Sequence, residues 1–295
     1  MKPQKVLITG VNGLLGQNLV RALKGAYEIS GLDLMEKPFI PDGLSAYSKV
    51  DITKQNELRA FFSKHQPDII INTAAITNVD MCETEQGKAD LVNHRAVRLL
   101  LTAAVKKVRF IQLSTDYVFD GENGPYGDDD KPNPVSVYGL TKLKGEEAVL
   151  SFSKDNLVVR TMVLFGRAVN VRPDFITFLR SSLSSGRAVN VVTDQIGNIT
   201  LAGNLARNIG ALIKEGTKGV LAMSGLDILS RHEIAFKVAE HYGLDASLIR
   251  PAKTADLKQA ARRPLNSGFR LERARKVPGV ELIDFEEQLR RHDVE

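Results

Sequence analysis

A short apolar run, Lys5-Val6-Leu7-Ile8-Thr9, passes straight into Gly10-Val11-Asn12-Gly13-Leu14-Leu15-Gly16, and Gln17 to Lys24 then keeps helical spacing. Strand, glycine turn and helix in this order admit few folds. The glycines let the backbone turn tightly and approach a pyrophosphate, whose charge is met by the amides and dipole of the helix N-terminus. A glycine-rich hairpin is the plainer reading of such a stretch; the strand before it and the helix after it argue against that.

A second strand, Tyr27 to Leu32, ends at Asp33. An acidic residue at this distance from the glycines accepts hydrogen bonds from the adenosine ribose hydroxyls. Its charge repels the extra phosphate of NADP, so NADH is the preferred cofactor, and NADPH is the alternative should Lys37 offset the repulsion. Asp51-Ile52 closes the next short strand, placed either at the adenine edge or in a simple turn. Gln55 to Gln66 reads as an amphipathic helix, and Ile69 to Asn72 as a buried strand stopping in Thr73-Ala74-Ala75, small enough for a cofactor to lie against the backbone. Thr77 and Asp80 follow in a loop facing the ligand. The spacing predicts one helix from about Glu85 to Val105, whose inner face carries Asn93, an amide suited to tying neighbouring strand ends.

Val108 to Leu113 is the next buried strand, and it delivers Ser114-Thr115-Asp116 to the carboxyl edge where open α/β sheets hold ligands. After a loop rich in Gly, Asp, Asn and Pro, Asp120 to Pro134, a helix carries Tyr138 and Lys142. Four residues apart, they share one helix face, where an ammonium can stand next to a phenol and pull its pKa down from about 10. A phenol so tuned exchanges a proton with an alcohol or carbonyl near neutral pH. A Ser114 or Thr115 hydroxyl is placed to bind the reacting oxygen. Alone, a tyrosine and lysine at this spacing are more often a solvated helix face; the glycine turn upstream gives them weight.

Leu157 to Thr161 continues the strand and helix alternation, which implies an α/β fold with a Rossmann-type, doubly wound parallel sheet. Residues 1–160 form the dinucleotide-binding part, with segments around 189–215 returning to it. Residues 161–295 form a smaller, discontinuous C-terminal substrate domain. It takes in a helix over Asp174 to Ser185, a strand over Val189 to Val192, a strand over Gly219 to Met223, a helix over Ser230 to Tyr242 and a terminal helix over Phe285 to His292. The helix over Leu201 to Lys214 is the one expected back on the main sheet. Adjacent Arg262 and Arg263 suit an anionic substrate or a surface ion-pair cluster. A net charge of +5, with basic residues scattered among acidic ones, argues against nucleic acid and suits a nucleotide. Apolar stretches are only strand-sized, so no membrane span is expected. The five histidines lack metal-ligand spacing, so no metal is expected. The single cysteine, Cys82, allows no internal disulfide and reads as inert, which suits a reducing cytoplasm.

With these residues in view, the chain resembles the extended short-chain dehydrogenase/reductase family, and within it most closely the dTDP-4-dehydrorhamnose reductase group. The likeness rests on the Gly-x-x-Gly-x-x-Gly spacing of Gly10 to Gly16, on Thr73 to Asp80, on Ser114-Thr115-Asp116-Tyr117-Val118-Phe119-Asp120-Gly121, on Tyr138-Gly139-Leu140-Thr141-Lys142 and on Ala261 to Ser267. The resemblance implies hydride transfer from NAD(P)H to the 4-keto carbon of a nucleotide-activated deoxysugar. Tyr138 would donate the proton, Lys142 would hold the nicotinamide ribose, and Thr115 would polarise the substrate oxygen. By the same match Gly10, Asn12, Gly13, Leu14, Leu15, Asp33, Asp51, Ile52, Thr73, Ala74, Ala75 and Leu113, with Tyr138 and Lys142, would line the cofactor. Thr115, Asp116, Val163 and Arg263 would meet the sugar. A homodimer is compatible with this family.

One departure bears on the substrate. The family's tryptophan after the sixth strand is missing from Arg160-Thr161-Met162-Val163-Leu164-Phe165, and the chain has no tryptophan at all. Two alternatives stand beside reduction. Dehydration would need a glutamate directly after Thr115-Asp116, where Tyr117 stands, so epimerisation is the sister reaction left open. A cofactor-binding regulatory subunit, similar to the methionine adenosyltransferase beta subunit, is the non-enzymatic reading; Thr115, Tyr138 and Lys142 keep the side chains that catalysis needs.

Overall fold

Runs such as Val6-Leu7-Ile8 and Ile69-Ile70-Ile71 are apolar at every position because their strands are buried on both faces, as parallel strands covered by helices must be. The computed structural model describes residues 3–104 and 107–295. Its first half runs β1 (Lys5–Thr9), α1 (Leu14–Leu23), β2 (Glu28–Asp33), β3 (Ala46–Lys49), α2 (Gln55–Lys64), β4 (Ile69–Asn72), α3 (Val79–Thr84) and α4 (Gln86–Asp90). A π-helical turn (Leu91–Arg95) then leads to α5 (Ala96–Ala103), β5 (Arg109–Thr115), α6 (Val137–Phe152) and β6 (Leu157–Thr161). The second half runs β7 (Leu164–Phe165), α7 (Phe175–Ser184), β8 (Val189–Val192), β9 (Ile196–Asn198), β10 (Thr200–Leu201) and α8 (Ala202–Lys214). It ends with β11 (Gly219–Ala222), β12 (Ile228–Ser230), α9 (Arg231–Tyr242), β13 (Ile249–Ala252) and α10 (Phe285–Val294).

The main sheet has seven strands in the order β3-β2-β1-β4-β5-β6-β11, every pair parallel. The order reverses between β1 and β4, and the crevice at that reversal, above the strands' carboxyl ends, is where such sheets take ligands. On one face Leu15, Leu19 and Leu23 of α1 meet Leu205, Ile209 and Leu212 of α8. On the other, Phe61 and Phe62 of α2, Leu100 of α5 and Val149 of α6 cover the sheet. Each such side chain contributes about 1.5–3 kcal/mol on burial.

A separate core of Phe165, Ile176, Leu179, Ile234, Val238, Phe285 and Leu289 sits outside the main sheet. Here β8 pairs with β13 and β9 with β12.

Three expectations need correction. The stretch from Glu85 is not one helix: it divides into α4, the π-helical turn and α5, and the expected end at Val105 lies outside the described residues. Asn93 lies within the π-turn and is buried. The strand over Gly219 to Ala222 belongs to the main sheet, paired with β6, not to the smaller layer. The segment returning to the sheet is therefore residues 202–222, whereas Val189 to Val192 pairs away from it with β13. Among the described residues no helix is long and apolar enough to cross a membrane, and no group of His, Cys, Asp and Glu is arranged to hold a metal ion.

Candidate active site

Gly10 has φ +66, and a Cβ on it would stand 2.9 Å from the Ala74 backbone. A Cβ on Gly16 would stand 2.4 Å from the Gly10 carbonyl oxygen. The turn is thus pressed against the end of β4, with Thr73 donating its hydroxyl to the Thr9 carbonyl at 2.7 Å. Gly13 caps α1 without any side-chain hydrogen bond, which leaves that helix end open to an anion. Asp33 accepts from the Asn12 amide at 3.0 Å and the Leu34 amide at 2.8 Å, so it closes the turn from the β2 side. Asn12 turns its own side chain to the Lys37 carbonyl and the Phe39 amide, fixing the loop after β2. Asp51 accepts from the amide and hydroxyl of Thr53, the turn role, with Ile52 buried beside it. An open helix end, a cradle that a side chain would fill and a carboxylate at its rim fit a dinucleotide.

Beneath the crevice lies a row that sequence reasoning missed. Thr9, Asn72 and Gln112 stand in register on β1, β4 and β5, each at most 1% exposed. The Thr9 hydroxyl donates to Asn72, Asn72 donates to Gln112 at 2.8 Å, and Gln112 donates to the Leu113 carbonyl at 2.8 Å. Lys142 Nζ donates to the same carbonyl at 2.6 Å. The signal was there to read: a polar residue inside each otherwise apolar strand needs a buried partner.

Ser136 caps α6 by accepting from the Gly139 amide at 3.2 Å. Gly139 is helical yet glycine because a Cβ would stand 2.0 Å from the Tyr117 carbonyl oxygen. Asn93 clamps the same helix, accepting from the Ile76 amide at 2.8 Å and donating to the Thr141 hydroxyl at 3.3 Å, so it ties the segment after β4 to a helix and not, as expected, to a neighbouring strand end. Tyr138 and Lys142 are consequently both buried. The Thr115 hydroxyl, at the last residue of β5, donates to Asp116 at 3.0 Å and lies beside the Tyr138 phenol.

The expectation that Lys142 pulls the Tyr138 pKa down is not met. Burial pushes the phenol well above its ordinary value, and the Thr115 hydroxyl draws it only partly back. Lys142 is itself pushed down to about 8 by burial, with the Glu146 carboxylate opposing. Its ammonium points at the Leu113 carbonyl, away from an ion-pairing role with the phenol.

Beside these groups opens a pocket lined by Asp116, Tyr117, Val163, Asn198, Arg231 and Ser267 among others. Asp116 accepts a hydrogen bond from the Ser267 hydroxyl, and burial pushes its carboxyl up. Burial likewise pushes Tyr117 up to about 12. Val163 lines the pocket at φ +42, a conformation that a β-branched residue adopts only when its surroundings impose it. Arg231, which sequence reasoning passed over, is half-buried at the start of α9 with its guanidinium 5.4 Å from the Phe175 ring centroid and near Asp116 and Tyr117. Arg263, expected at the sugar, is instead turned to Asp80, which it grips at 2.7 and 3.1 Å. Asp80 sits in α3 rather than a ligand-facing loop, and Arg263 holds its carboxyl below the usual range. Within the segment Asp120 to Pro134, Tyr126 stacks on Phe119 at 4.1 Å and its hydroxyl bonds Asp120, and Asn133 also bonds Asp120. Cys82 is buried and pushed up to about 11, as its inert reading requires.

Comparison with known proteins adds names to this geometry. The family model described as RmlD substrate binding domain matches residues 4–292. The dTDP-4-dehydrorhamnose reductase of Aggregatibacter actinomycetemcomitans is 31% identical, with 97% of each chain covered. The dTDP-4-keto-6-deoxy-D-glucose reductase of Streptomyces niveus is 33% identical, covering 88% of this chain and 85% of that one. The crystal structure of dTDP-4-dehydrorhamnose reductase from Bacillus anthracis in complex with NADP superposes with a TM-score of 0.89 at 28% identity, with 99% of each chain covered.

Proposed function

The chain belongs to the RmlD substrate-binding domain family, and from that membership we propose that it is an NAD(P)H-dependent oxidoreductase reducing the 4-keto group of a dTDP-activated 6-deoxysugar. The observation that carries the reading is the meeting of Tyr138, Thr115 and Lys142 at the carboxyl end of β5, between the glycine turn and the pocket holding Asp116 and Arg231.

When bound, the nicotinamide supplies a hydride to the carbonyl carbon. Gly10, Gly13 and the amides of Leu14 and Leu15 hold the diphosphate, Asp33 the adenosine ribose, and Ala74 and Ala75 let the cofactor lie close. Lys142 reaches the nicotinamide ribose. Tyr138, kept a full phenol at neutral pH by burial, gives its proton to the developing alkoxide, and Thr115 contacts the same oxygen. Proton donation in that step is worth about 10²–10⁴ in rate.

Arg231 offers the pocket a positive charge, a role first given to Arg263, and suits the substrate's diphosphate. Val163 lines the pocket in a segment without tryptophan, so this wall offers the sugar an aliphatic surface and no indole to stack upon. The two cores support the division into a dinucleotide part and a smaller substrate part. A lone, buried cysteine suits the cytoplasm.

Following NADH absorbance with dTDP-4-dehydrorhamnose and with dTDP-4-keto-6-deoxy-D-glucose tests the reading. Turnover of either, lost in Tyr138→Phe with NADH binding kept, supports it; NADH binding with turnover of neither overturns it.

A further inference from the structure

Tyr138, Lys142 and Glu146 recur at four-residue intervals on one face of α6, and all three are buried, Glu146 to 1% exposure. Glu146 takes no part in the chemistry above. Its carboxylate is gripped by Arg160 of β6, with Nη2 at 2.7 Å and Nε at 3.1 and 3.2 Å, and Arg160 is only 4% exposed. Arg160 is in turn held from its far side by the Asp128 carbonyl at 3.3 Å and the Phe119 ring at 5.1 Å. A carboxylate so bound is held in one place beside its helix neighbours.

The charged groups around Lys142 are few. Its own helix presents Glu146 one turn on and the buried Tyr138 phenol one turn back, which burial keeps protonated and uncharged. Strand β5 presents the Leu113 carbonyl, which is uncharged, and the π-turn presents Asn93 through Thr141. Strand β6 presents Arg160, whose charge is directed at Glu146, and beyond it stand Asp128 and Arg273. An ammonium in such a place has one counter-charge within a helical turn.

We propose that Glu146, fixed by Arg160, is the positioning residue that keeps Lys142 an ammonium at the pH where the dinucleotide binds. The proposal rests on the reading that Lys142 meets the bound dinucleotide. In its absence Lys142 would be left to the full cost of burial, which already holds it near 8.

The test is NADH affinity, read by cofactor fluorescence between pH 6 and about 9.5, which needs no knowledge of the sugar. In the wild type the affinity falls on the alkaline side as Lys142 loses its charge. In Glu146→Gln that fall moves to lower pH by about one unit, and Glu146→Asp moves it back. Because Glu146→Gln leaves Arg160 without a carboxylate, the double variant Glu146→Met/Arg160→Met, in which both charges are gone, is measured beside it; loss of the like charge of Arg160 offsets part of the effect, so a smaller shift in the same direction is expected. Superimposable curves for the wild type and folded Glu146→Gln, or a move to higher pH in the double variant, overturn the proposal. Failure of both sugars to turn over would overturn the reductase reading and leave this shift standing.

Discussion

Asp116 accepts a hydrogen bond of 2.6 Å from the hydroxyl of Ser267, across 151 residues of chain. The bond joins the end of β5 to the segment after β13 and closes one wall of the pocket. Ser267→Ala removes a donor from a buried carboxyl and costs about 1–3 kcal/mol. We expect Tm to fall by a few degrees, KM for the nucleotide sugar to rise and NADH affinity to stay unchanged, measured by calorimetry and steady-state kinetics.

Lys142 makes stability and cofactor binding depend on pH in opposite senses. Its folded pKa, about 8, lies below its ordinary 10.5. Below pH 8 the folded state therefore carries the full cost of the buried charge, and stability rises as pH climbs from 8 towards 10.5. That cost is on the order of 3 kcal/mol. Lys142→Met should unfold at higher temperature than the wild type at pH 7, lose the alkaline rise and bind NADH poorly; urea titrations at pH 7 and about 10 check the first two.

Gly139 is where a methyl group would do the most damage for its size. With a Cβ only 2.0 Å from the Tyr117 carbonyl oxygen, Gly139→Ala must push α6 off Tyr117 and carry Tyr138 with it. Helix propensity alone would favour alanine by about 1 kcal/mol. The expected outcome is the reverse: lower Tm and a loss of kcat of at least about 100-fold, since small displacements of reacting groups are costly.

The two arginines should separate cleanly. Arg231→Gln is expected to raise KM for the nucleotide sugar about 10-fold with little change in Tm. Arg263→Gln breaks a two-pronged grip on Asp80, whose partial exposure limits the cost to about 1 kcal/mol. It should lower Tm and affect KM less. A larger rise in KM for Arg263→Gln than for Arg231→Gln would return the substrate charge to Arg263.

Much of the framework was legible in the residues. The glycine turn, the apolar strands and the pair Tyr138 and Lys142 each announce themselves by local spacing, and the structure builds the sheet they imply. What escaped depends on which residues meet from afar. Arg263 was open to two readings, an anionic substrate or an ion-pair cluster, and nothing local reveals that Asp80 is the partner it takes. Arg231 drew no notice, since it stands in the first turn of α9 with no local sign of the pocket it lines. The strand at Gly219 was assigned to the smaller layer because alternation had already loosened by Thr161, and only pairing with β6 returns it to the sheet. The phenol's environment was misjudged because spacing gives proximity to a lysine and says nothing about desolvation.

Ile69, Ile70 and Ile71 are alike, and any of them is at home between two layers of helices, so these side chains cannot distinguish one alignment of β4 from the next. Asn72 can. A slip of a single position would turn its amide to the opposite face, leaving the Thr9 hydroxyl without its acceptor and the Gln112 side-chain carbonyl without its donor. The polar row thus acts as a vernier for the sheet, turning strands that would tolerate many alignments into strands with one, and so setting the height at which the glycine turn and α6 face each other.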